Sequence, residues 1–229
     1  MSGIRYYVVD TETTGVSTKT HELVELSIIK VGVDGEKNTQ FYKKIIAEHP
    51  ETASLDALRI TRKTMADLRQ GERAKDVVDM VDRFFEQDGL TPAHRCIVAH
   101  NAPFDRKFIH TLWEKQEKKF VADLWLDTIP MFKAYAKREN IKTAARLEVA
   151  CEVMGIVNKS GAAHNASSDS RNTYYLLKKM IDCNVPYLSI IKNEPHIIKN
   201  SRLSQDEVES LLSSIPEGFG EDNDTNEDY

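Results

Sequence analysis

The 229-residue chain has no apolar run approaching the roughly 20 residues that span a bilayer, and its N-terminus lacks a basic-then-apolar signal pattern. The expected product is therefore soluble, intracellular and cytoplasmic. Cysteine is scarce: Cys96, Cys151 and Cys183 are odd in number and show no CxxC spacing. That spacing suggests neither a disulfide framework nor a zinc site. Cys96 and Cys151 lie among apolar neighbours and are expected as core thiols. Internal repeats are also lacking, and the length suffices for one sizeable core, at most with an appendage.

Basic residues are missing from one stretch altogether. From Glu217 to Tyr229 there are six acids (Glu217, Glu221, Asp222, Asp224, Glu227, Asp228) and no base. These account for the net charge of −5: without them 31 bases face 30 acids, a net of +1 for residues 1–216. Such a tail, with Gly and Asn and almost nothing to bury, is expected to be disordered. The body is near neutral, with basic clusters at Lys115/Lys118/Lys119 and Lys133/Lys137/Arg138/Lys142. These are either solvated helix faces or phosphate-binding surface.

What the chain does contain is a run of strand patterns followed by helical ones. Ile4–Asp10 and the β-branched Leu23–Val33 read as strands, Asp34-Gly35 as a hairpin turn, and Thr39–Ile46 as a third strand, together an antiparallel meander. The period then changes, with Val77, Val78, Val81, Phe84 and Phe85 on one helical face. "CIVAH" (Cys96–His100) predicts a buried strand, and a helix follows over about Pro103–Glu117. "LWLD" (Leu124–Asp127) predicts a fifth strand. Helices are expected over Thr143–Met154, ended by Gly155, and over Ala166–Asp182. The sum is a mixed α/β pattern with helices able to cover both faces of one sheet. Past Pro186 the texture changes; Ser204-x-x-Glu207 is a capping box for one short helix whose Val208, Leu211 and Leu212 could dock on the body or on a partner.

Acids recur where apolar strands end. In "YYVVDTETTG" (Tyr6–Gly15), Asp10 and Glu12 are two residues apart, so in a strand both carboxylates project to one side. Two like charges held together are costly unless a cation lies between them. Spacing alone does not decide the matter, because Asp34-Gly35-Glu36 has the same spacing in a turn. "AHNAPFD" (Ala99–Asp105) follows another strand; Asp105 could serve only the helix dipole, whereas His100, Asn101 and Phe104 form a shelf suited to a base or sugar. "HNASSD" (His164–Asp169) stands at a loop-to-helix boundary, where Asp169 could be a helix N-terminal acid and His164 an exposed loop residue. Their joint occurrence points to an oxygen-rich site for Mg²⁺ or Mn²⁺, with a histidine able to take a proton from water: metal-assisted phosphodiester hydrolysis.

"VVDTETTG", "VAHNAPFD" and "HNASSD" together resemble the three motifs of the DEDDh 3′-5′ exonucleases, the family of the bacterial replicative proofreading subunit and its stand-alone relatives. The resemblance covers about Ile4 to Cys183, and "LDT" (Leu126–Thr128) and "RLEVACEVMGI" (Arg146–Ile156) add to it. It implies a ribonuclease-H-like fold with a five-stranded mixed sheet of order 3-2-1-4-5 and helices on both faces. It also implies that Asp10, Glu12, Asp105 and Asp169 hold two Mg²⁺ or Mn²⁺ ions and that His164 activates the attacking water. Residues at the positions of Thr13, Thr14, His100, Asn101 and Phe104 line the terminal-nucleotide site in that family. The implied domain is residues 1–186, with a C-terminal extension over 187–216 and the acidic tail over 217–229. The implied substrate is a single-stranded or frayed nucleic-acid 3′ end, DNA favoured and RNA the alternative, releasing nucleoside 5′-monophosphates; a polymerase or other protein could bind the extension. One departure stands out: "ALRIT" (Ala57–Thr61) has Leu58 and Arg59 where the family often has His-Gly, which alters wedge and base contacts but removes no metal ligand.

Overall fold

The computed structural model describes residues 4–33, 35–157, 165–188 and 190–192. Its strands are β1 (Arg5–Thr13), β2 (Leu23–Lys30), β3 (Thr39–Lys44), β4 (Arg95–Ala99), β5 (Leu124–Asp127) and β6 (Ile190–Lys192), and they form one sheet of order β3-β2-β1-β4-β5-β6. The first three are the expected antiparallel meander. β4 runs parallel to β1 and β5 parallel to β4, while β6 returns antiparallel along β5. The ribonuclease-H-like order 3-2-1-4-5 is present, and β6 extends it by one edge strand that was too short to show a strand pattern.

Among the described residues six α-helices flank the sheet: α1 (Leu55–Thr61), α2 (Ala74–Glu86), α3 (Ala102–Lys115), α4 (Thr128–Arg138), α5 (Leu147–Val153) and α6 (Ala166–Asp182). Alternation along β1 sends Tyr7 and Val9 to one face, where they pack with Ile28 and Ile97 against Val81 and Phe85 of α2 and Ile109 and Trp113 of α3. Tyr6 and Val8 point to the other face, against Met131 and Phe132 of α4, Cys151 of α5 and Leu177 of α6. Full burial of each Val, Leu, Ile, Phe or Met among them contributes about 1.5–3 kcal/mol relative to exposure. Cys96 and Cys151 are buried thiols, as expected. Arg95 enters β4 as a buried cation satisfied by Asp88 at 2.6 Å and by the carbonyls of Phe85 and Val121 at 2.9 Å, locking the end of α2 to the sheet.

Several boundaries differ from those the pattern predicts. β2 stops at Lys30 rather than Val33, because the next residues fold on themselves: Glu36 N donates to Val33 O and Gly32 N to the Asn38 side chain. The connection is thus longer than a two-residue hairpin; Asp34 itself lies outside the described residues. α5 begins at Leu147 rather than Thr143, since Arg146 is extended and the Ala145 carbonyl is taken by His100 Nε2 at 2.8 Å. α1 gives no periodic signal because two of its apolar residues face solvent, Leu55 at 84% and Ile60 at 57% exposure. α4 follows β5 without a loop, capped by Asp127 accepting from Ile129 N at 3.0 Å. Tyr187 and Ile190, in the stretch assigned above to an extension, are buried in the core. The short helix over Ser204–Leu212 and the acidic tail lie outside the described residues. Among the described residues no helix is long and apolar enough to cross a membrane.

Candidate active site

Asp10 and Glu12 continue the Val8 side of β1 and so face α6. The register fixes this: Ser27 pairs with Asp10 across β1 and β2, and its hydroxyl meets Ser170 of α6 at 2.7 Å. Asn165 caps α6 by accepting from Ser168 N at 2.9 Å, which starts the helix where its first turn carries Asp169 over the strand. One carboxylate oxygen from each of Asp10, Glu12 and Asp169 lies within 4.8 Å of the others. Asp105 sits in the first turn of α3 on the other side of β1. It is 4% exposed and accepts from Thr11 Oγ1 at 2.8 Å, which ties it to the residue between the two strand acids.

Burial sets the electrostatics of these acids. It pushes Glu12 up to about 8, opposed by the Lys63 ammonium and reinforced by Glu25, Asp169 and Asp105. Asp10 is driven well above the ordinary carboxylate range by burial and then by Asp105, Glu12 and Asp169. Asp105 also rises through burial, in spite of the Thr11 hydrogen bond. Carboxylates that resist ionisation only because they are crowded and dry are the groups a hard divalent cation would recharge, and the all-oxygen donor set fits such an ion.

The remaining sequence-predicted residues divide by what already engages them. Thr13 Oγ1 donates to Gly15 O at 2.7 Å, and Thr14 Oγ1 accepts from Glu22 N at 2.8 Å, so both hydroxyls close the turn after β1. Gly15 is needed there: a Cβ would stand 2.6 Å from the His21 ring. Both nitrogens of His100 are engaged, Nδ1 with Thr128 Oγ1 and Nε2 with Ala145 O, each at 2.8 Å, and burial lowers its pKa. It fastens the end of β4 to α4 and to the stretch before α5. Asn101 is exposed, holds a left-handed backbone (φ 79°) and donates its N–H to Asp127 Oδ1 at 3.0 Å. Phe104 is half-buried, with Lys107 Nζ 4.7 Å from its ring centroid. His164 lies outside the described residues.

Four residues here escaped the pattern reading as site residues. Asp127 and Thr128 brace the β4–α3 turn that aims Asp105. Glu25, 3% exposed and opposite Glu12 in the register, is ion-paired to Lys63 at 2.6 Å. An acid inside the apolar run "LVELSII" was the available signal for it.

Comparison with known proteins agrees with this geometry. A family model described as exonuclease matches residues 7–177. The PolC-type DNA polymerase III of Listeria monocytogenes is 32% identical over 177 residues, 77% of this chain but 11% of the polymerase, so the chain spans about a tenth of such relatives. Among solved structures, cell-death related nuclease 4 superposes with a TM-score of 0.68 at 15% identity, covering 92% of this chain and 78% of that one. The nuclease domain of 3′hExo, a DEDDh family member bound to rAMP, superposes at 0.63 with 17% identity, covering 83% and 97%. The strand order, the acids gathered where β1 meets α6, and a family match across most of the sheet converge: the chain belongs to the exonuclease family.

Proposed function

We propose that the chain is a metal-dependent 3′-5′ exonuclease that removes nucleoside 5′-monophosphates from single-stranded or frayed DNA ends. The observation that carries this is the meeting of Asp10, Glu12 and Asp169 within 4.8 Å, with Asp105 held nearby through Thr11. Bound at these acids, two Mg²⁺ or Mn²⁺ ions would stabilise the attacking and leaving oxygens of the phosphodiester. Asp10, Glu12, Asp105 and Asp169 supply the negative charge that holds them. His164, two residues before the start of α6, takes the proton of the attacking water. The turn closed by Thr13 and Thr14 presents backbone to the terminal nucleotide, and Phe104 offers a ring face for a base. Leu55 and Ile60 of α1 give exposed apolar surface beside it, since Ser54 N, just before α1, donates to Thr14 O at 2.8 Å. Degradation of an oligonucleotide labelled at its 5′ end should yield a ladder of shortened products with Mg²⁺ and none in excess EDTA; full activity in EDTA would overturn the reading.

RNA trimming by the same acids is the second reading, favoured by the rAMP bound in the 3′hExo neighbour. Matched DNA and RNA oligomers compared for kcat/KM decide between them. The likeness to polymerase III supports association with a replicative polymerase in the cytoplasm.

Metal and pH are coupled in this scheme. Acids whose folded pKa is raised contribute stability that declines as pH climbs from the unfolded value, about 4.3 for glutamate, through the folded value. For Glu12 that window closes at about 8. A cation that favours the ionised acids therefore competes with protons at low pH. Added Mg²⁺ is expected to raise Tm more at pH 8 than at pH 6, measured by thermal unfolding with and without EDTA; equal shifts would count against it.

A further inference from the structure

Glu25 is the fifth acid of this neighbourhood: it stands opposite Glu12 across the β1–β2 register, and both its carboxylate oxygens are engaged by groups outside the other four acids. Oε1 accepts from Lys63 Nζ at 2.6 Å, Oε2 accepts from Ala166 N at 3.4 Å, and the Tyr42 hydroxyl adjoins the same group. The ion pair is nearly dry, with side-chain exposures of 13% for Lys63 and 4% for Glu25. Each contact reaches a different segment. Lys63 lies just past α1; Ala166 opens α6, one turn before Asp169; Tyr42 is on β3. A carboxylate at the first N–H of α6 also complements the positive end of that helix.

Lys63 needs such a partner. It is the strongest charged influence on Glu12, which faces Glu25 across the β1–β2 register. It also borders a cavity of about 400 Å³ together with Glu25, Tyr42, Lys44 and Arg62, so its side chain has room to move. Without Glu25, the ammonium would find Glu12 as its next carboxylate and compete there with a metal ion.

We infer that Glu25 is a positioning residue for the acid cluster: it holds Lys63 off Glu12 and pins the first turn of α6, and so Asp169, against β2. This rests on the metal reading of the site proposed above. Groups that orient metal-binding acids without touching the ion typically change affinity by about 10–100-fold when altered. Mn²⁺ binding is measured by titration calorimetry on the full chain, alongside thermal unfolding, for wild type, Glu25→Gln, Lys63→Met and the double variant. Glu25→Gln, which keeps shape and loses charge, is expected to weaken Mn²⁺ binding within that range. The double variant is expected to recover most of the loss, because the freed lysine is gone. Lys63→Met alone is expected to bind at least as tightly as wild type, and this variant carries the test if Glu25→Gln does not fold. Unchanged affinity in Glu25→Gln, a double variant as weak as Glu25→Gln, or tenfold weaker binding in Lys63→Met would each overturn the inference. Wild type that binds no Mn²⁺ would instead overturn the metal reading, and the inference with it.

Discussion

Asp10→Asn is expected to cut exonuclease turnover by at least about 10³-fold at saturating Mg²⁺, because a cation clamp supplies several kcal/mol and each 1.4 kcal/mol is about tenfold. The same change should leave the metal-free protein as stable as wild type or more stable at pH 8. Asp10 is crowded by Asp105, Glu12 and Asp169, and burial already disfavours its charge. A neutral amide of the same size removes that repulsion. Loss of activity with a gain in Tm would mark the acid cluster as a site that sacrifices stability for function. A simple packing defect would lower both. Turnover within tenfold of wild type would remove Asp10 from the machinery.

How much of this site could be read in the sequence depended on whether the relevant geometry was local. Asp10 and Glu12 were legible because strand alternation alone puts residues two apart on one side. The apolar face of α2 and the span of α6 were legible for the same reason. Contacts made at a distance were not. His100 stands out in the sequence as a polar residue in a tight turn, but the partners of its two nitrogens, Thr128 and Ala145, lie 28 and 45 residues further on. No spacing rule brings those groups together. Glu25 and Lys63 are 38 residues apart and meet only because the chain after α1 folds back over β2. Likewise α1 hid its identity because its short length and exposed Leu55 and Ile60 leave no stripe to count. The site acids announced themselves through local rules, whereas the groups that position them depend on tertiary structure.

His164→Ala is the second large effect expected, a loss of about 10²–10⁴-fold in turnover. A general base must be neutral to accept a proton, so wild-type turnover should rise with pH through the imidazole pKa, about 6.5 for an unperturbed histidine. If the acids lie close to the imidazole, as the proposed role requires, their negative charge moves that limb to higher pH and a bound divalent cation moves it back. The limb should therefore shift with the metal supplied, and it should vanish in His164→Ala. Mn²⁺ affinity should be unchanged in that variant, since the acids, not the imidazole, would hold the ion. This separates His164 from Asp10, whose loss affects both quantities. A wild-type profile that stays flat between pH 5.5 and 8, measured under single-turnover conditions so that product release does not mask the chemical step, would remove the histidine from the role of base and leave the acids to activate water through the metal alone.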